Sequence, residues 1–254
     1  MATDKDNLYQ FLLRLGDSSL ILSHRTSEWC GHAPVLEEDI ALANTALDLI
    51  GQAQMWLEYA GEVQGEGKTP DDIAFQRDAW DFRNVLLTEL PNGDFGRTLL
   101  RQFLFDAYQS ILMGRLIKSS DVTVAAIAAK TMKEVTYHVE RSADTVVGLG
   151  DGTPESHTRM QEALDYLWPY VGELFQGDEV DIAMFQAGIS PTPETLREEY
   201  DALVGRVLSE ATLTVPESQF SHKGGRTGAM HTEHLGHLLS TMQWLQRAYP
   251  GCEW

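Results

Sequence analysis

Apolar residues recur along this chain at alternating steps of four and three, the spacing that holds them on one face of an α-helix. Little of it alternates with the two-residue period of a strand. In the first segment the stripe is Leu8, Leu12, Leu15, Ser19 and Leu22, and the helix is expected to end around Glu28 to Gly31. Pro34 suits the first turn of a second helix, with Glu37, Glu38 and Asp39 at its positive end. Its seam reads Leu36, Ile40, Ala43, Leu47, Ile50, Gln54 and Leu57, and it runs out between Gly61 and Gly67. A shorter helical piece follows from about Asp72 to Leu87, then the turn Pro91-Asn92-Gly93, with Asp94 placed to cap what comes next.

The third long helix carries Leu99, Phe103, Asp106, Ser110, Met113 and Ile117 on its seam, so one carboxylate interrupts a largely apolar stripe. The fourth, from about Val122 to Leu149, carries Val124, Ala128, Thr131, Val135, His138, Ser142, Thr145 and Leu149. Thr153 and Pro154 start a fifth helix through Phe175, and Thr192-Pro193-Glu194 a sixth. The glycine-rich stretch His222 to Gly228 leads into a last helix with Leu235, Leu238, Met242, Leu245 and Tyr249 aligned. Four long helices in the first 150 residues predict an all-α, ferritin-like four-helix bundle core over about 4–150, with peripheral helices over about 151–254. No stretch reads as an interdomain linker, so one domain over 1–254 is expected.

Composition narrows the partners. The 254 residues are 43% hydrophobic, enough for a large core. Nineteen basic residues against 38 acidic give a net charge of −19, which argues against nucleic acid or an anionic membrane surface and suits a partly basic protein partner. Two cysteines, Cys30 and Cys252, make no disulfide framework, and no apolar run approaches the roughly 18 residues that span a bilayer. A cytoplasmic location is the simplest expectation.

Chemistry concentrates on the fourth seam. A carboxylate-bridged di-iron centre takes Glu or Asp and Glu-x-x-His pairs converging from four helices. Asp106 and His138 fit two of those places. The residue three before His138 is Val135, with the acid Glu134 one position early and Lys133 beside it. One residue is a rotation of about 100°, which turns Glu134 away from the inward face. Two other clusters carry donors. His231, Glu233, His234 and His237 pair at one-turn spacings, which suits a polar helix start packed on a neighbour or partner, or a metal. They lack the His-Glu-x-x-His order of a metalloprotease. Lys223-Gly224-Gly225-Arg226 can hold an anion such as a coenzyme A phosphate, although a mobile surface loop is the simpler reading.

Five motifs together carry a resemblance: Arg14-Leu-Gly-Asp17, Glu28-Trp-Cys-Gly-His-Ala-Pro34, Leu47-Asp-Leu-Ile-Gly-Gln-Ala53, Lys133-Glu-Val-Thr-Tyr-His138 and Met230-His-Thr-Glu-His-Leu-Gly236. Over the whole chain the sequence resembles the non-catalytic, C-type subunits of the bacterial phenylacetyl-CoA ring-1,2-epoxidases. The resemblance implies a ferritin-like fold and a place in the multicomponent oxygenase of phenylacetate catabolism. In that family an A-type subunit holds the di-iron centre and epoxidises the aromatic ring of the thioester. A separate reductase supplies electrons from NADPH, and the C-type subunit pairs with and supports the A-type subunit.

Laid against the catalytic paralogue's ligand pattern, the positions fall on Ser19, Leu49, Gln52, Asp106, Val135 and His138. Leucine and valine cannot coordinate iron. The resemblance therefore implies a degenerate di-iron site, no catalytic residue and no cofactor in this chain, with Asp106 and His138 satisfied by each other or by neighbours such as Lys133 or Gln52. Two other functions are open to the residues alone: an independent di-metal oxidase using Asp106, His138 and the 231–237 cluster, or an acyl-CoA carrier or sensor using the 223–226 loop.

Overall fold

The computed structural model describes residues 4–218 and 220–252, and every regular element among them is helical. The chain divides into two compact units, one of residues 1–31, 36–91 and 223–254, the other of 32–35 and 92–222. No helix among the described residues is long and apolar enough to cross a membrane.

The first unit is built on a helical hairpin, α1 (Asp4–Ser27) and α2 (Leu36–Gln64). From Phe11 to Thr26 nearly every side chain of α1 is buried, including the predicted seam residues Leu12, Ser19 and Leu22. Gly16 makes the hairpin close: a Cβ there would stand 2.6 Å from a methyl of Leu57. Two short helices, α3 (Pro70–Phe75) and α4 (Leu86–Glu89), occupy the span expected to be one piece, separated by a 3-10 turn at Ala79–Asp81. The last helix, α10 (Glu233–Ala248), packs on α3 and α4 and buries Leu235, Leu238, Leu239 and Met242.

The α2 seam needs correction. Leu36, Ile40, Leu47 and Ile50 face outward, 42–69% exposed, while Leu42, Leu49, Gln52, Ala53 and Trp56 form the buried face. The helix has two apolar arcs. Its buried arc is diluted by Thr45, Ala46, Gln52 and Ala53, whereas the outer one carries the bulky aliphatics. Spacing alone favours the arc with the larger side chains.

The second unit is built on α5 (Phe95–Leu116) and α6 (Val122–Gly150), with α7 (Pro154–Leu167) and α9 (Arg197–Glu210) packed on that pair. Asp94 and Asp121 cap α5 and α6, accepting from the amides of Arg97 and of Thr123 and Val124. On α6 the expected seam is the buried face through Val124, Ala128, Thr131, Val135, His138 and Ser142, but beyond it Val146 and Gly150 are buried while Thr145 and Leu149 are only half-buried. The expected fifth helix is α7 continued by a 3-10 segment, Trp168–Phe175. A short α8 (Glu179–Gln186), capped by Asp178, was not legible, because eight residues carry too few periodic positions. Tyr108, Phe175 and Tyr200 form an edge-to-face cluster with ring centroids 5.8 and 4.9 Å apart. The Tyr200 hydroxyl donates to the Leu104 carbonyl at 3.2 Å.

Candidate functional site

The α5/α6 pair brings Asp106 and Ser142 together, with His138 one turn before Ser142 on the same buried face. Asp106 is fully buried. Gln102 Nε2, one turn earlier on α5, donates to its Oδ1 at 2.7 Å, and Ser142 Oγ donates to its Oδ2 at 3.1 Å. Burial pushes the Asp106 carboxyl up to about 6, against the opposing pull of the His138 charge, the two hydrogen bonds and the Arg141 charge. The His138 charge acts on Asp106, and two neighbours on the same helix pair add to it. Lys133 is exposed, and Asp106 is served by Gln102 and Ser142. Gln102 lies one turn from Asp106 and could have been found from the i, i+4 spacing of an amide and an acid on one helix.

Val135 occupies the inward position on α6 and is fully buried, while Glu134 beside it is only half-buried. In the first unit, Leu49 and Gln52 lie on the buried arc of α2 and Ser19 on the buried α1, with Asp48 turned to a half-buried position. The donor set on α5 and α6 is thus one carboxylate, already holding two hydrogen bonds, and one imidazole, with an aliphatic side chain where a bridging carboxylate would be needed. That chemistry does not fit a di-iron centre. Among the described residues no three His, Cys, Asp or Glu side chains gather as a metal site.

The 231–237 cluster is taken apart by the helix start. His231 precedes α10, so the one-turn spacing to His234 does not place the two rings on one helical face. Instead His231 Nδ1 meets Glu89 Oε2 at 2.8 Å and its Nε2 meets the Phe82 carbonyl at 3.2 Å. Both partners accept, so both bonds form together when the ring carries both protons. Glu89, fully buried at the end of α4, also accepts from Asn84 Nδ2 at 2.9 Å and from the Thr232 amide. Its carbonyl takes Arg25 Nε at 3.0 Å and Nη2 at 2.8 Å, and the same Nη2 reaches the His234 carbonyl at 3.2 Å. Glu233 and His237 are exposed. Periodicity does not single out Glu89, although an acid closing the apolar run Val85-Leu86-Leu87 is the signal that such a tie leaves.

The 223–226 loop is also corrected. Lys223 is exposed, but Gly225 and Arg226 are buried in a 3-10 turn, Gly225–Thr227. The Arg226 carbonyl accepts Arg14 Nε at 3.1 Å, and a Cβ on Gly225 would collide with the Asn84 carbonyl. The turn is a packed part of the unit rather than a mobile surface loop. Asp17, fully buried, binds Arg77 through both oxygens and takes the Arg83 amide at 2.8 Å. Motifs around residues 14–17, 25–28 and 226–234 therefore meet as internal ties of one unit.

A family model described as phenylacetic acid catabolic protein matches residues 1–254. The chain is also 49% identical over 249 residues to the C-type subunit of the 1,2-phenylacetyl-CoA epoxidase of Escherichia coli (strain K12), an alignment covering 98% of this chain and 100% of that protein. The all-α, ferritin-like class expected from the seams is the class of this chain.

Proposed function

We propose that this chain, which belongs to the phenylacetic acid catabolic protein family, is the non-catalytic structural subunit of a multicomponent oxygenase that epoxidises the aromatic ring of phenylacetyl-CoA. It acts as one ferritin-like domain and pairs with a related subunit. The di-iron centre resides in that catalytic partner, and electrons arrive from NADPH through a separate reductase. Ser19, Leu49, Gln52, Asp106, Val135 and His138 are the remains of ligand positions, turned over to packing.

One observation carries this reading: the position that must supply a bridging carboxylate on α6 is Val135, 0% exposed, while Asp106 is engaged by Gln102 and Ser142. An aliphatic side chain sealed into the core contributes to stability, roughly 1.5–3 kcal/mol for a valine or leucine, and has no electron pair for a metal. The exposed ends of the 231–237 cluster, Glu233 and His237, together with the exposed Lys133, support contacts to partners.

Reconstitution tests the proposal. The catalytic subunit with its reductase should epoxidise phenylacetyl-CoA at full rate only when this chain is added. A catalytic subunit that is soluble, stable and fully active by itself would refute the supporting role.

A further inference from the structure

The outer arc of α2 has no work inside its own unit. Leu36, Ile40, Ala43, Leu47, Ile50 and Gln54 fall within about 80° of one another on the helix circumference and run for roughly 27 Å along its axis. Leu36 is 69% exposed, Ile40 53%, Leu47 67% and Ile50 42%. A scattered exposed leucine means little. A continuous stripe of four large aliphatics at four-three spacing, about 140° round the helix from a buried face centred on Leu42, Leu49 and Trp56, is the seam of a second helix–helix contact.

The charges beside the stripe decide what covers it. From Ala33 to Gly67 there is no Lys, Arg or His, and Glu37, Glu58 and Glu62 stand exposed along one edge of the stripe. Asp39 lies on the other edge, where it accepts the Gly31 amide at 2.6 Å. A second copy packed antiparallel would set the glutamate edge against itself, and a parallel copy would set it against the Asp39 edge. Either way like charges meet with no base to answer them, on a chain already at −19.

We infer that the α2 outer stripe is the docking seam for a helix of the catalytic partner, one with its own apolar stripe flanked by Lys or Arg, and that its acidic edge prevents pairing with a second copy of this chain. The inference rests on the pairing proposed above and adds to it the face and the partner's chemistry. Hydrophobic contact holds the two helices together, and the charged edge selects which helix is accepted.

The test co-expresses the full chain with the catalytic subunit and measures co-purification and the dissociation constant. The wild-type complex is expected to be heteromeric, and the chain alone to sediment as a monomer. Ile40→Glu/Leu47→Glu should weaken association at least about ten-fold, because charges enter the apolar seam. The same variant should keep the wild-type circular dichroism and Tm, because both sites are exposed. Glu58→Lys/Glu62→Lys should weaken it several-fold at low salt and less at high salt. Trp244→Glu on the exposed face of α10 should bind within two-fold of wild type. Wild-type association that survives Ile40→Glu/Leu47→Glu unchanged would overturn the seam and leave the pairing standing. No association of the wild type would overturn both. An isolated chain that dimerises, and becomes monomeric in Leu47→Glu, would overturn the partner assignment.

Discussion

Asp106 shows what burial does to an acid held by an amide and a hydroxyl. Its carboxyl titrates at about 6 in the folded chain against 3.8 in the open chain, chiefly because burial penalises the charge. A carboxyl that holds its proton more tightly when folded costs nothing at low pH. Stability then falls as pH rises from about 3.8 through about 6, because the unfolded chain sheds its proton first. Asp106→Asn keeps an acceptor for Gln102 and has no proton to lose. It should therefore be more stable than wild type above pH 6, by at most about 3 kcal/mol, with the gap closing near pH 4 in urea titrations across that range. A variant less stable than wild type at pH 8 would show that the ionised carboxylate is supported by more than these contacts. Val135→Glu makes the complementary case. A carboxylate in that sealed site should cost several kcal/mol of stability, and calorimetry should show a clear drop in Tm. At this scale the sequence was legible where helical phase decided the matter: Val135 inward, Glu134 aside, Asp106 and His138 buried. Among the partners of Asp106, Gln102 was within reach of its i, i+4 spacing, whereas Ser142 on the neighbouring helix takes the packing of α5 on α6 to place.

Among the helices, the tie at Glu89 holds the most consequence. Glu89 and His231 bring the entry of α10 to the end of α4, and Arg25 of α1 closes the junction through the carbonyls of Glu89 and His234. Glu89→Ala leaves the His231 ring, the Asn84 amide and the Thr232 amide without their shared acceptor. The loss should be about 3–5 kcal/mol in chemical denaturation, with proteolysis between Lys223 and Thr232 accelerated before the long helices are cut. Unchanged protection of that segment would show that packing of Leu235, Leu238 and Met242 alone secures α10. The long helices α1, α5 and α6 could be placed from periodicity, since each has one dominant face or is buried almost all round. With two apolar arcs, α2 could not be phased. At 231–237 the one-turn interval from His231 to His234 gives no common face, because α10 begins at Glu233, and His231 instead ties the helix start to Glu89.

For the whole molecule, the proposed role is to be one half of something. The ligand positions that the resemblance singles out contribute packing, and the outer face of α2 offers an apolar seam with an acidic edge. A surplus of nineteen negative charges keeps such a chain soluble alone and raises its rate of encounter with a basic partner. Raising the ionic strength should therefore slow association with the catalytic subunit more than it speeds dissociation, as stopped-flow traces at low and high salt, below and above about 0.1 M, would show. Family and helical class were legible because they reside in short motifs and in residue type. The face that meets a partner was hidden because it takes a structure to tell which of two apolar arcs is already covered.

Whether this chain assists another chain's metal chemistry is decided by counting iron. The co-purified complex is separated into its two kinds of chain under non-chelating conditions, and the metal is measured on each. About two iron ions per catalytic chain are expected, with none retained by this chain, wild type or Asp106→Ala. Near-stoichiometric iron on this chain, lost in Asp106→Ala, would contradict the assisting role.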